Sequence, residues 1–199
     1  MIAVRDPAES DAGNEPPRPR AVTLPVDSIA MVARWKPVHL GHAAVLRGLS
    51  DAAARVIIGI GSSNKYDARN PFSAAETGEM IRRVLAGRTN YTLIEVPDLG
   101  NGPRWRLMVR DLFGPLDAFV TANDYVRSLM QDLYPILHPA ALVTPRDRSR
   151  LTGTQVRRAM LAGGSDWQAL VPRCVADYLI EHGLVERLRR EFPAHDVGD

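Results

Sequence analysis

The short apolar run Ile29-Ala30-Met31-Val32-Ala33 stops at Arg34, and beyond a polar stretch Ala43, Ala44, Leu46 and Leu49 recur at helical spacing. The first run is bounded and apolar as a buried parallel strand is, and the second has the stripe of an amphipathic helix. The stretch between them, Arg34-Trp35-Lys36-Pro37-Val38-His39-Leu40-Gly41-His42, is therefore a strand-to-helix turn. Pro37 stands in the connection, where a missing N–H costs nothing. Gly41 lets a ligand phosphate approach the backbone, with the free N–H groups of the helix start and the positive end of its dipole behind it. His39 and His42 are placed to donate hydrogen bonds to phosphate oxygens. The same histidines also suit a helix cap or a surface position. A zinc site fits less well, because the pair lacks HExxH spacing and the chain has few other histidines to complete a ligand set.

Further apolar runs follow. Val56-Ile57-Ile58-Gly59-Ile60-Gly61 has the β-branched richness of a central strand. A polar loop, Ser62-Ser63-Asn64-Lys65 through Arg69-Asn70-Pro71-Phe72, leads to a helix over Ala74 to Leu85, with Ser73 as N-cap and Glu76 at the capping-box position. Strands are expected at Tyr91 to Val96, Ala118 to Thr121 and Ala141 to Val143, and helices at Arg104 to Phe113 and Asp124 to Leu133. Strands alternating with helices imply an α/β fold: a Rossmann-like, doubly wound parallel sheet with helices on both faces. In such sheets ligands collect at the carboxyl ends of the strands, near a reversal in strand order. The first motif lies at one of those ends, as do Gly59-Ile60-Gly61-Ser62, Asp98 and the Thr121-Ala122-Asn123 turn. Gly59 and Gly61 lack the third glycine of a dinucleotide fingerprint, since position 64 is Asn64, so hydride transfer is a poor reading.

With 199 residues, 45% hydrophobic and 24% charged, the chain has the material for one domain with a sizeable core. A net charge of +2 with both signs interspersed does not indicate a nucleic-acid footprint. The single Cys174 cannot form an intrachain disulfide, which fits a reducing compartment. No apolar run is long enough to span a bilayer and no secretory signal pattern opens the chain, so the expected location is the cytoplasm, with no membrane partner. Residues 1–26, rich in proline and small polar residues, are expected to form a flexible extension, residues 27–190 the domain, and residues 191–199 a loose tail.

A second informative segment is Arg148-Ser149-Arg150-Leu151-Thr152-Gly153-Thr154-Gln155-Val156-Arg157-Arg158. Thr152 and Gln155 stand at capping-box spacing, with Val156, Met160 and Leu161 as an apolar stripe. Two readings fit: a capped, arginine-rich surface helix, or a second anion cradle made by free N–H groups, the Thr154 hydroxyl and the Arg157 guanidinium.

RxxPxHxGH followed by a distal TGTxVR, on an alternating α/β background, resembles the HxGH nucleotidylyltransferases, closest to the archaeal-type nicotinamide mononucleotide (NMN) adenylyltransferases. Ile58-Gly59-Ile60-Gly61-Ser62, Arg69-Asn70-Pro71-Phe72, Pro97-Asp98, Trp105 and the tail Leu170-Val171-Pro172 to Val185-Glu186-Arg187-Leu188 are similar to that group, so the likeness covers about residues 28 to 190. The resemblance implies transfer of AMP from ATP to the 5′-phosphate of NMN, with nicotinate mononucleotide as a further acceptor, and with Mg²⁺ riding on the phosphates rather than in a protein cage. By the same resemblance His39, His42, Arg34 and Arg157 carry the chemistry. Ala33, Gly41, Asn123, Thr152, Gly153 and Thr154 would line the ATP site. Gly61, Ser62, Arg69, Asp98, Asn101 and Trp105 would line the acceptor site, Trp105 stacking on the nicotinamide ring. The relatives commonly form oligomers, so a homo-oligomer is expected.

Trp105 also fits a half-buried core aromatic, and Asp98 a turn residue or cap. The chain departs from the group in its Asn101, one place early, followed by Gly102, Pro103 and Arg104, in a shorter loop from Ser63 to Ala68, and in Thr152 where serine is more usual. Other acceptors, such as phosphopantetheine, a flavin mononucleotide or a polyol phosphate, and CTP in place of ATP, stay open, as does a catalytically idle nucleotide-binding protein. A class I aminoacyl-tRNA synthetase is remote: the chain is too short for an anticodon-binding domain and carries no lysine-rich loop.

Overall fold

A computed structural model of the chain describes residues 22–192. The expected extension, as far as residue 21, and the expected tail from residue 193 lie outside the described residues. Val22 and Phe192, at the two limits, pack against the core.

Five strands form one parallel sheet: β1 (Val26–Ala33), β2 (Ala53–Gly61), β3 (Tyr91–Val96), β4 (Ala118–Val120) and β5 (Ile136–Leu137), in the order β3-β2-β1-β4-β5. The helices are α1 (Leu40–Ala52), α2 (Ala74–Val84), α3 (Gly102–Phe113), α4 (Asp124–Met130), α5 (Gly153–Leu161), α6 (Arg173–Glu181) and α7 (Leu184–Glu191). Period-two alternation sends Ile29 and Met31 of β1 to one face and Ala30 and Val32 to the other. The first face is covered by side chains such as Leu46 and Leu49 of α1, Ile81 of α2, Met160 of α5 and Leu179 of α6. The second is covered by Val109 and Phe113 of α3 and Met130 of α4. Full burial of each Ile or Leu contributes roughly 1.5–3 kcal/mol relative to exposure, so a strand apolar on both faces is most stable at the centre. The result is the doubly wound sheet expected from the alternation.

The chain steps outward from β1 to β2 and β3, then returns to place β4 on the other side of β1. That reversal leaves a crevice beyond the carboxyl ends of β1 and β4, where Ala33 and Val120 end their strands. Ser73 and Glu76 form the expected capping box of α2, with Ser73 Oγ accepting the Glu76 N–H at 3.1 Å and a Glu76 carboxylate oxygen accepting the Ser73 N–H at 2.9 Å.

The strand expected at Ala141 to Val143 is a 3₁₀ turn over Pro139–Leu142, and the pairing strand is the two-residue β5 just before it. Pro139 has no N–H to give a ladder, and His138 Nδ1 accepts the Ala140 N–H at 3.1 Å, which closes the turn. Leu142 then packs its carbonyl against α1 at Gly48, where no Cβ would fit. Helix α3 opens at Gly102 rather than Arg104, since Asn101 caps it, and α4 ends at Met130 rather than Leu133. Among the described residues no helix is long and apolar enough to cross a membrane.

Candidate active site

The turn after β1 is fastened to the end of β2 by two bonds. Trp35, fully buried, donates from its indole Nε1 to the Gly59 carbonyl at 2.9 Å, and Lys36, 2% exposed, donates from Nζ to the Ser62 carbonyl at 2.9 Å. Trp35 at φ 56° and Ser62 at φ 50° occupy the left-handed region, which for side chains of this kind costs on the order of 1–3 kcal/mol and persists only where surrounding contacts enforce it. Those contacts are the two bonds just named. Burial lowers the pKa of the Lys36 ammonium, and nearby Arg34 acts in the same direction, while Asp67 and Glu95 oppose them.

His39 is the N-cap of α1, its Nδ1 accepting the His42 N–H at 3.2 Å. His42 Nδ1 lies 3.3 Å from the Pro37 carbonyl. Because a carbonyl can only accept, His42 carries its proton on Nδ1; because His39 Nδ1 accepts, the His39 proton sits on Nε2. The two rings stack at 3.6 Å, and Trp35 meets His42 edge-on at 4.9 Å. Burial pushes the His39 imidazole down to about 4, and burial with the His39 neighbour holds His42 well below the ordinary range. Both rings are thus neutral at neutral pH. Neutral His39 offers an N–H from Nε2, whereas neutral His42 offers a lone pair at Nε2 and becomes a donor there only on protonation.

The distal motif arrives at this turn from the other side. Thr152 and Gln155 form the expected capping box of α5. Arg157, 5% exposed, points inward: Nη1 donates to the Lys36 carbonyl at 3.0 Å and Nη2 to Thr154 Oγ at 3.1 Å, bridging positions 121 residues apart. Its Nε is buried without a hydrogen-bond partner. Burial pushes this guanidinium down to about 10, with Arg34, Arg69 and Arg158 adding to the effect and Asp67 opposing it. A Cβ at Gly153 would come within 3.1 Å of Arg157 Nη1, and one at Gly41 within 3.2 Å of Ser149 Cβ. Glycine at 41 lets the distal segment come close to the first motif, and glycine at 153 leaves room for the Arg157 guanidinium. Cations crowded against one carboxylate, beside an orphaned buried donor, suit a polyanion.

A second region, a cavity of about 330 Å³, opens between the starts of α3 and α4 and is lined by Asp98, Asn101 and Trp105 among others. Asn64 fixes Asp98 by a reciprocal pair, Nδ2 donating to its carbonyl at 3.0 Å and Oδ1 accepting its N–H at 2.8 Å. Asp98 Oδ1 accepts the Gly100 N–H at 2.9 Å, and Asn101 Oδ1 caps α3 by accepting the Arg104 N–H at 3.0 Å. Trp105 is half-buried against the second core. Ala33 and Gly61 end β1 and β2, Ser62 follows, and Asn123 caps α4 with its side-chain oxygen. Exposed Arg69 donates its backbone N–H to Asp67 at 2.9 Å. The structure therefore gathers Arg34, His39, Gly41, His42, Gly153, Thr154 and Arg157 at one place, and Asp98, Asn101 and Trp105 at another. Lys36 and Asn64 are structural members of the site that sequence reasoning missed. Lys36 lay in plain view inside the first motif, but only its partner across 26 residues reveals its burial.

The two regions flank the carboxyl edge of a sheet in which residues 31–159 match the family model described as Cytidylyltransferase-like. The chain belongs to this family. Within it, this cytidylyltransferase-like chain falls among the nicotinamide-nucleotide adenylyltransferases. It is 32% identical over 163 residues to the enzyme of that name from Methanococcus vannielii, covering 80% of this chain and 92% of the relative. It is 34% identical over 166 residues to the one from Pyrococcus furiosus, covering 79% and 85%. Among solved structures, a bifunctional NMN adenylyltransferase/ADP ribose pyrophosphatase from Francisella tularensis, complexed with AMP and a Mn ion, aligns with a TM-score of 0.62 at 19% identity. The match covers 83% of this chain and 52% of the bifunctional protein, so this chain spans about half its length. Nicotinic acid mononucleotide adenylyltransferase from Plasmodium falciparum aligns with a TM-score of 0.52 at 10% identity, over 80% of this chain and 98% of that one. At such identities the likeness is one of fold.

Proposed function

We propose that this chain transfers AMP from ATP to the 5′-phosphate of NMN, forming NAD and releasing pyrophosphate. The observation that carries the reading is the junction of the two motifs, where Arg157 crosses to the Lys36 carbonyl with its Nε unpartnered, beside the histidine pair. An oxygen of the acceptor phosphate attacks the α-phosphorus of ATP in line, a new P–O bond forms, and the bond to the bridging oxygen breaks. The task of the protein is to hold two anions together and to neutralise charge that shifts to the leaving pyrophosphate.

In this reading Arg34, His39, the N–H groups at Gly41 and the α5 start at Thr152, Gly153 and Thr154 hold the triphosphate, with Ala33 and Asn123 at the nucleoside end. Arg157 adds fixed charge from beneath. His39 donates from Nε2 in its resting tautomer. His42 takes a proton at Nε2 as phosphate charge arrives, and its Nδ1–H on Pro37 keeps the ring aimed. No group of three or more His, Cys, Asp or Glu side chains converges among the described residues, and the donor set is cationic. A Mg²⁺ ion would therefore be held by the phosphates themselves, where it neutralises their charge.

On the acceptor side Arg69 meets the phosphate, Gly61 and Ser62 give the backbone close approach, and the ring lies on Trp105. Asp98 is the charged residue in the lining of that cavity. A carboxylate there suits the amide N–H of a nicotinamide and repels the carboxylate of a nicotinate ring, so NMN is the better acceptor of the two.

The test is pyrophosphate release from ATP and Mg²⁺ against NMN, nicotinate mononucleotide, phosphopantetheine and flavin mononucleotide, with products identified by mass. NAD formed in clear preference supports the reading. Turnover with a different acceptor overturns the acceptor assignment, and ATP binding with no pyrophosphate release overturns the activity.

A further inference from the structure

Tyr125, the second residue of α4, is 61% exposed, has no place in either core, and lines the same cavity as Trp105 and Asp98. No hydrogen bond ends on its hydroxyl among the described residues, so neither burial in a core nor polar pairing explains where the ring lies. Its position is explained by Gly102, the first residue of α3. A Cβ built there would collide with the Tyr125 hydroxyl and stand 3.0 Å from its Cζ and 3.2 Å from Leu129 Cδ1. The phenol therefore reaches across the start of α3 only because residue 102 has no side chain. Gly102 does not have a positive φ, so the backbone alone does not call for glycine at that position. The segment in which the chain departs from the relatives it resembles, Asn101 to Arg104, is thus the segment that admits Tyr125.

The geometry points to Tyr125 as a specificity-determining residue: a second aromatic wall of the acceptor cavity, which with Trp105 selects a planar ring. This rests on the acceptor assignment made above. A planar, electron-poor ring gains from two aromatic neighbours, while a flexible aliphatic acceptor gains little. Neither aromatic is among the residues assigned to the phosphates above, so in this inference the wall governs acceptor affinity and leaves ATP binding and the chemical step alone.

The experiment is steady-state kinetics on the full chain with ATP and NMN varied separately, for Tyr125→Ala, Tyr125→Phe, Gly102→Ala and the double variant Gly102→Ala/Tyr125→Ala. Removal of the ring in Tyr125→Ala is expected to raise the KM for NMN about tenfold, with kcat and the KM for ATP within about twofold. Phenylalanine keeps the wall and should restore the wild-type KM. Gly102→Ala should match Tyr125→Ala in direction, and the double variant should be no worse than Tyr125→Ala, because both changes act through one ring. An unchanged NMN KM in Tyr125→Ala overturns the inference, as does an equal loss for ATP and NMN or a double variant showing the full product of the two effects. Wild-type protein that makes no NAD overturns the acceptor reading and this inference with it; wild-type protein that makes NAD beside an indifferent Tyr125→Ala overturns this inference alone.

Discussion

Around the turn after β1, Trp35, Lys36, His39 and Arg157 are at most 5% exposed, and each is tied by a named hydrogen bond to another part of the turn, to β2 or to α5. Around the cavity between α3 and α4, Asp98, Asn101 and Tyr125 stand at the surface: exposed Asn64 and a turn hold Asp98, Asn101 is held by its cap on α3, and no hydrogen bond among the described residues ends on the Tyr125 hydroxyl. Groups that meet charge during a reaction gain from being fixed before it arrives, because reorganisation then costs little. Groups that recognise an acceptor ring do not need that rigidity. A change in the cavity can therefore alter the acceptor without disturbing the turn, and the departures at Asn101 to Arg104 lie where the structure tolerates them.

The sharpest way to break the contrast is at His42. His42→Ala should lower turnover by about two to three orders of magnitude, the usual loss when a fixed transition-state contact is removed, while circular dichroism shows an intact fold. Near-normal turnover in a folded variant would remove His42 from the chemistry.

A second effect should appear in stability rather than rate. His39 has a folded pKa near 4, below its unfolded value of 6.5, so the unfolded chain binds more protons between those limits. The contribution is in place above pH 6.5 and is lost as the pH falls toward 4, by about 2 kcal/mol at pH 5. His39→Asn replaces the capping ring nitrogen with an N-cap oxygen and does not titrate. Urea melts at pH 7.5 and 5 should show a smaller acid loss in this variant; equal losses would mean that the ring is not desolvated as described.

The smallest effect belongs to the cavity. Trp105→Ala should weaken NMN about tenfold and leave ATP within about twofold. Matching losses for both substrates would merge the two regions into one and end the contrast.

Features that depend on neighbouring residues were legible in the sequence. The apolar run of β1, the run that forms β2, the strand from Tyr91 to Val96, and the capping boxes at Ser73 and Thr152 stand in the structure where the sequence places them. Both motifs were legible too, and they meet. Features decided by distant contacts were not. The inward turn of Arg157 depends on the Lys36 carbonyl, the burial of Lys36 on Ser62, and the pose of Tyr125 on Gly102. The two-residue β5 carries no periodicity, so the neighbouring apolar run at Ala141 to Val143 looked like the better strand until Pro139 and His138 closed a turn there.

The bond from Arg157 to the Lys36 carbonyl also sets an order in time. During synthesis the first motif leaves the ribosome well ahead of its buried brace, and at typical elongation rates the 121-residue separation takes roughly ten seconds to synthesise. Throughout that interval the histidine turn exists without the arginine that closes it from beneath. A nascent chain halted before α5 should carry the strands and the HxGH sequence yet hold no nucleotide, so the nucleotide reaches its site only once α5 has emerged and docked.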